Sequence, residues 1–169
     1  MTNNKEEEEN NINIENLNLS PLGVELFDSA INIVEDLLKS YGKLRTQVFY
    51  PKVEDNGEVE ILSVELSKIL DQIIEEFGLK PPFDNKDSLY FSFFKETALN
   101  ILKIKIETDS PNLYIFANQI ENEVYFIIRD PSYFGITKVT FIFNGEILIV
   151  KKIEHLPSNN YTNPLFISF

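Results

Sequence analysis

The chain has 169 residues and a mass of 19.6 kDa, is 43% hydrophobic and 25% charged, and carries a formal charge of −12 with no cysteine and one histidine. A chain of this length buries a core without cross-links; the missing cysteines exclude disulfides, thiol nucleophiles and Cys-based zinc or iron–sulfur sites, and a lone His155 excludes a two-histidine metal centre within one chain. The acidic balance disfavours nucleic acid, whose phosphates need Lys and Arg, and suits a basic protein partner.

Residues 1–19 are expected to form an acidic Asn/Glu-rich tail, because the Glu6–Glu9 run flanked by asparagines has no apolar surface to bury. The charge is uneven: net −4 over residues 1–20, −6 over 21–80 and −2 over 81–169. The 21 Ile and 18 Asn against 3 Ala and 2 Arg point to an AT-rich genome, a statement about coding rather than function. The acidic start is unlike a secretory signal. No apolar run approaches the ~18–20 residues of a membrane-spanning helix. A cytoplasmic protein without membrane contact is expected.

Ser20-Pro21 opens the first helix: serine offers the N-cap oxygen, and proline at the first helical position lacks an N–H that has no partner there anyway. Leu22, Leu26, Phe27, Ala30, Ile31, Val34, Leu37, Leu38 and Tyr41 recur at helical spacing, and Gly42 suits the residue after the C-cap. The runs Thr46–Val53 and Glu58–Ser63 flank Asn56-Gly57, a hairpin signal, with Pro51 confining the first run to an edge or bulge. A second amphipathic helix is expected over about Val64–Phe77, its stripe formed by Leu66, Ile69, Leu70, Ile73, Ile74 and Phe77 and stopped by Gly78 and Pro81-Pro82. Residues 83–98 read as a short helix or as a strand, with the helix favoured.

From Leu99 the pattern turns to β. Leu102, Ile104 and Ile106 alternate with Lys103, Lys105 and Glu107, as in a half-buried strand. Leu113–Ile120 and Val124–Asp130 make a hairpin, and Thr137–Phe143 and Glu146–Ile153 make another around Asn144-Gly145. A two-residue Asn-Gly turn pairs Phe143 with Glu146, Phe141 with Leu148 and Ile142 with Ile147. Val139, Phe141, Leu148 and Val150 then share one face, and Ile142, Ile147 and Ile149 the other. A strand pair apolar on both sides needs cover on both. Residues 157–169 form an extension ending in Leu165, Phe166, Ile167, Ser168 and Phe169, a last edge strand or a docking segment.

The expected fold is one α+β domain over residues 20–156: two amphipathic helices on a curved antiparallel sheet of about five strands, with an extra hairpin between the helices. In outline, and through the hairpin Phe143-Asn144-Gly145-Glu146-Ile147-Leu148, it resembles the cone-shaped NTF2-like fold; that resemblance implies topology and no site.

Catalytic patterns are absent: there is no G-x-S-x-G elbow, no H-E-x-x-H, no dinucleotide fingerprint and no Walker lysine loop. Asp55-Asn56-Gly57 misses the calcium-loop register, since Lys52 and Ser63 occupy ligand positions. Glu54, Asp55, Glu58 and Glu60 read as a solvated hairpin tip, and the aromatic set Tyr90, Phe91, Phe93, Phe94, Tyr114, Phe116, Tyr125 and Phe126 reads as core. No catalytic group, cofactor or metal is expected. The leading expectation is a non-enzymatic interaction module with a protein partner or a second copy, using Ile142, Ile147, Ile149, Leu165, Phe166, Ile167 and Phe169. The alternatives are a small-ligand or minor enzymatic domain using the concave side of the sheet, and an acidic nucleic-acid mimic.

Overall fold

The computed structural model describes residues 17–76, 89–109 and 113–157. The expectations for residues 1–16 and for Leu165, Phe166, Ile167 and Phe169 lie outside the described residues, as do Phe77 and the side chains of Leu70, Ile73 and Ile74 in the expected stripe.

Helix α1 (Pro21–Tyr41) begins as its sequence dictates. Ser20 Oγ accepts from Gly23 N at 3.1 Å, and the helix ends on Gly42 at φ 73°, whose N–H donates to the Leu38 carbonyl. Leu26, Phe27, Ala30, Val34 and Leu38 are buried, whereas Tyr41 points into solvent. Strands β1 (Gln47–Val53) and β2 (Val59–Glu65) form the expected hairpin. Its turn is closed by Glu54 N to Glu58 O at 2.8 Å, with Gly57 at φ 85°. Pro51 pairs with Ile61 of β2 beyond the last β1–β3 pair, so its missing N–H interrupts no ladder there.

Helix α2 (Leu66–Glu76) follows β2 without a loop, two residues later than the pattern suggested. Val64 and Glu65 stay in the ladder because they pair with Val48 and Gln47. Helix α3 (Leu89–Asp109) corrects the sequence reading, which made Leu102–Ile106 a strand. Ala98, Leu99, Leu102 and Ile106 are buried, at spacings of one, three and four, while Ile104 is 63% exposed. The letters ILKIKIE satisfy both periods over so short a window. The helix prevails because it puts those four residues on one face, against Val48, Tyr50, Tyr114 and Phe116, and leaves Lys103 and Lys105 in water.

Strands β3 (Tyr114–Ile120), β4 (Glu123–Arg129), β5 (Gly135–Phe143) and β6 (Leu148–Pro157) complete one antiparallel sheet of six strands in the order β2-β1-β3-β4-β5-β6. The hairpin expected as an extra is part of this sheet, because β1 pairs with β3 through Gln47–Ala117, Val48–Phe116 and Phe49–Ile115. The architecture is therefore α+β with three described helices rather than two and six strands rather than about five, and the helices cover both faces.

Alternation divides the interior. Phe49, Ile115, Ala117, Val124, Phe126, Ile128, Val139, Phe141 and Leu148 face α1 and make the larger core. Phe27 meets the Phe126 ring edge-on at 6.0 Å, and Phe126 meets Phe141 at 4.8 Å. Val48, Tyr50, Tyr114 and Phe116 face the other way and are covered by Leu66 and Ile69 of α2 and by α3.

The β5–β6 register also differs from the expected one. Phe143 pairs with Leu148, Ile142 with Ile149 and Phe141 with Val150. The turn sits one residue later, on Gly145-Glu146, because the Asn144 side chain accepts from the N–H groups of Glu146 and Ile147, both at 2.9 Å, and Gly145 takes the first central position at φ 101°. Each partner moves by two residues, which preserves face membership: Val139, Phe141, Leu148 and Val150 do face α1. A register shift between Thr140 and Phe141 marks a bulge at Lys151 in β6.

Candidate functional site

Three places hold polar chemistry that the fold has arranged. The first is a buried carboxylate. Asp130, at the end of β4, is 2% exposed and accepts from Ser20 N (3.0 Å), Ser20 Oγ (2.8 Å) and Ser132 N (2.8 Å). Burial pushes its carboxyl upward, but the hydrogen bonds from Ser132 and Ser20 outweigh that and hold it below the ordinary aspartate value. Gly23 makes the approach possible, since a Cβ there would collide with the Asp130 carboxylate. The group fastens the N-cap of α1 to the β4–β5 loop, and all its described bonds serve the fold.

The second is the sheet face opposite α1 over β4, β5 and β6. Glu123, Ile142 and Ile149 stand opposite one another across these strands, and Ile120 of β3 continues the row. Ile142 is 43% exposed, Ile147 in the turn 47% and Ile120 51%, while Ile149 is half-buried. The described parts of α2 and α3 pack over β1, β2 and β3 and leave this row open. Beside it Tyr125 OH donates to Glu123, Lys151 pairs with the same carboxylate, and Lys138 Nζ sits 4.7 Å from the Tyr125 ring centre. Hydrogen bonding from Lys151 and then Tyr125 lowers the Glu123 carboxyl below its ordinary value, and the bond to Glu123 raises the Tyr125 phenol. The structure thus pairs Ile142 with Ile149 on one face, with Ile147 exposed in the turn next to them. Sequence reasoning missed Ile120, which only the strand order places beside them.

The third is a cleft of about 870 Å³ where α1 ends, β1 and β2 meet α2, and α3 passes by. Ile33, Leu37 and Tyr41 come from α1, Lys43 and Arg45 from the connection to β1, and Gln47, Ser63, Val64 and Glu65 from the strands. Lys68, Ile69 and Gln72 of α2 and Ile101, Leu102 and Lys105 of α3 complete the lining. Arg45 Nη1 lies 3.7 Å from Glu65 Oε1, and Ser63 Oγ donates to Gln47 Oε1 at 3.0 Å. No sequence signal marks this cleft, since its four cations are spread over 63 positions (43 to 105) and the alternation of Leu102, Ile104 and Ile106 assigns Lys105 to a strand.

His155 is an exposed β6 residue whose Nδ1 lies 3.1 Å from Thr137 Oγ1, with Tyr133 against its ring. Among the described residues no group of three or more His, Asp or Glu converges on a metal-sized site. Of the aromatic set, Tyr114, Phe116 and Phe126 are core and Tyr125 is half-buried on the open face; the side chains of Tyr90, Phe91, Phe93 and Phe94 lie outside the described residues. No described helix is long and apolar enough to cross a membrane. Neither a protein-family model, nor a curated protein, nor a solved structure matches this chain.

Proposed function

We propose that the protein is a non-enzymatic interaction module with an acidic surface, acting in the cytoplasm, and that the open face of β4–β6 is its contact surface. The apolar row Ile120, Ile142 and Ile149, with Ile147 beside it, carries this reading. Exposed aliphatic groups gathered on one sheet face, here with Glu123 between Ile120 and Ile142, mark contact sites. Glu123 within the row is paired with Lys151, and the Lys138–Tyr125 pair borders it, so the polar groups of the patch have partners. A charge of −12 per copy opposes self-association and favours a partner with a basic surface.

The test uses the full chain and an Ile142→Asp/Ile149→Asp variant. Light scattering at micromolar concentration is expected to report a monomer for both. Affinity capture from the native host is expected to retain a basic protein with the wild-type chain and lose it with the folded variant. A wild-type mass near twice the monomer, halved in the variant, identifies the partner as a second copy on the same face. Identical captured proteins and identical masses for both chains overturn the assignment of this surface.

A further inference from the structure

We propose that the cleft between α1, the β1–β2 pair and α2–α3 is a binding site for a small amphipathic organic anion, a compact apolar body carrying a carboxylate, sulfonate or phosphate. This cleft is a different surface from the β4–β6 face and shares no residue with it.

Charge is the first observation. Four of the chain's 15 Lys and Arg line this one cleft, against a single carboxylate, in a molecule whose formal charge is −12. That carboxylate, Glu65, is paired with Arg45. Lys43, Lys68 and Lys105 form no ion pair with a described residue. They arrive from three separate elements, so the concentration is made by the fold and not by a run in the chain. Like charges brought together without counter-charge repel, and a bound anion removes that repulsion.

The second observation is Gln47. It is 9% exposed and lines the cleft. Its Oε1 is taken by the Ser63 hydroxyl, which leaves Nε2 with no partner among the described residues. That donor is not sealed from water, so an acceptor oxygen on an occupant of the cleft takes the place of water there.

Shape and lining set the rest of the ligand. Ile33, Leu37, Ile69 and Ile101 supply an apolar wall, and the volume of about 870 Å³ lies in the range of small-molecule sites. The basic rim is local and the chain around it is acidic, so a long polyanion meets repulsion beyond the cleft while a small anion does not.

The test is a pair of fluorescent probes of nearly equal shape: 8-anilinonaphthalene-1-sulfonate and the uncharged N-phenyl-1-naphthylamine. The sulfonate is expected to bind the wild-type chain at least tenfold more tightly than the neutral probe, and to weaken several-fold in 0.5 M NaCl. Lys68→Gln/Lys105→Gln is expected to lower sulfonate affinity about tenfold and leave the neutral probe within twofold. Both lysines are exposed, so the thermal melt of this variant is expected to match wild type. Amide shifts on titration are expected around Arg45, Gln47 and Ser63, and Ile142→Asp/Ile149→Asp is expected to bind the sulfonate as wild type does. Equal affinity of the wild-type chain for the two probes overturns the proposal without recourse to any variant. So do unchanged binding by the folded double-lysine variant and shifts confined to the β5–β6 face.

Discussion

Asp130 shows how one residue can organise distant chain. Ser20 and Ser132 reach it from opposite sides, so a single carboxylate ties the start of α1 to the β4–β5 loop. Asp130→Ala strands the Ser20 and Ser132 donors and is expected to cost about 2–4 kcal/mol in urea unfolding. Asp130→Asn is expected to fall between, since an amide oxygen still accepts from Ser132 N while its NH₂ faces the Ser20 donors. The carboxyl is held below its unfolded value, so its stabilisation is complete at pH above that value and is lost as pH falls through the folded one. Stability measured downward from about pH 5 is therefore expected to fall more steeply for wild type than for Asp130→Asn, starting near the unfolded aspartate value of about 3.9. Gly145 is the second residue with a defined conformational task. At φ 101° a β-branched side chain is strained, and Gly145→Val is expected to lower stability by about 1–3 kcal/mol, read as a lower melting temperature.

At the scale of elements, α3 offers the sharpest contrast. On a strand Leu102, Ile104 and Ile106 are equivalent, all on one face. On the helix Leu102 and Ile106 are buried against β1 and β3 and Ile104 is in water. Ile106→Ala is expected to cost about 2–5 kcal/mol, and Ile104→Ala to change stability by less than about 0.5 kcal/mol. Equal losses at the two positions in denaturant titrations would restore the strand. The β5–β6 pair gives the complementary case. Its turn chemistry was legible down to the glycine, but which residue closes it depended on the Asn144 side chain taking two N–H groups. The slip preserved the faces because it moved each partner by two, the period of a strand.

At the scale of the molecule, β1 and β3 join two interiors. Val48 and Tyr50 serve the core under α2 and α3, while Phe49 between them serves the core under α1. Phe116 and Ile115 divide in the same way. Neither core persists once these strands leave the sheet, so a single cooperative transition is expected. Far-ultraviolet circular dichroism and the summed fluorescence of the seven tyrosines, of which Tyr50 and Tyr114 lie in the second core, are expected to give coincident urea midpoints. Separate midpoints would show two units. The same division explains the open face: the described helices meet the sheet opposite α1 at its β1–β3 half, and the row at Ile142 and Ile149 lies beyond them.

Local sequence signals specify α1 with both its caps, the β1–β2 and β3–β4 hairpins, and which residues of β5 and β6 face inward. Each rests on signals within a few residues: a serine before a proline, a glycine at a turn, alternation along one strand. It could not determine whether ILKIKIE is helix or strand, because that choice depends on the face it packs against, which belongs to strands 50 or more residues before it and about 10 after it. Nor could it reveal the basic cleft. Net charge over residues 21–80 is −6, yet Lys43, Arg45 and Lys68 from that same stretch meet Lys105 at one opening. Charge is summed along a chain but acts through space, and the packing of distant segments sets which groups share a surface.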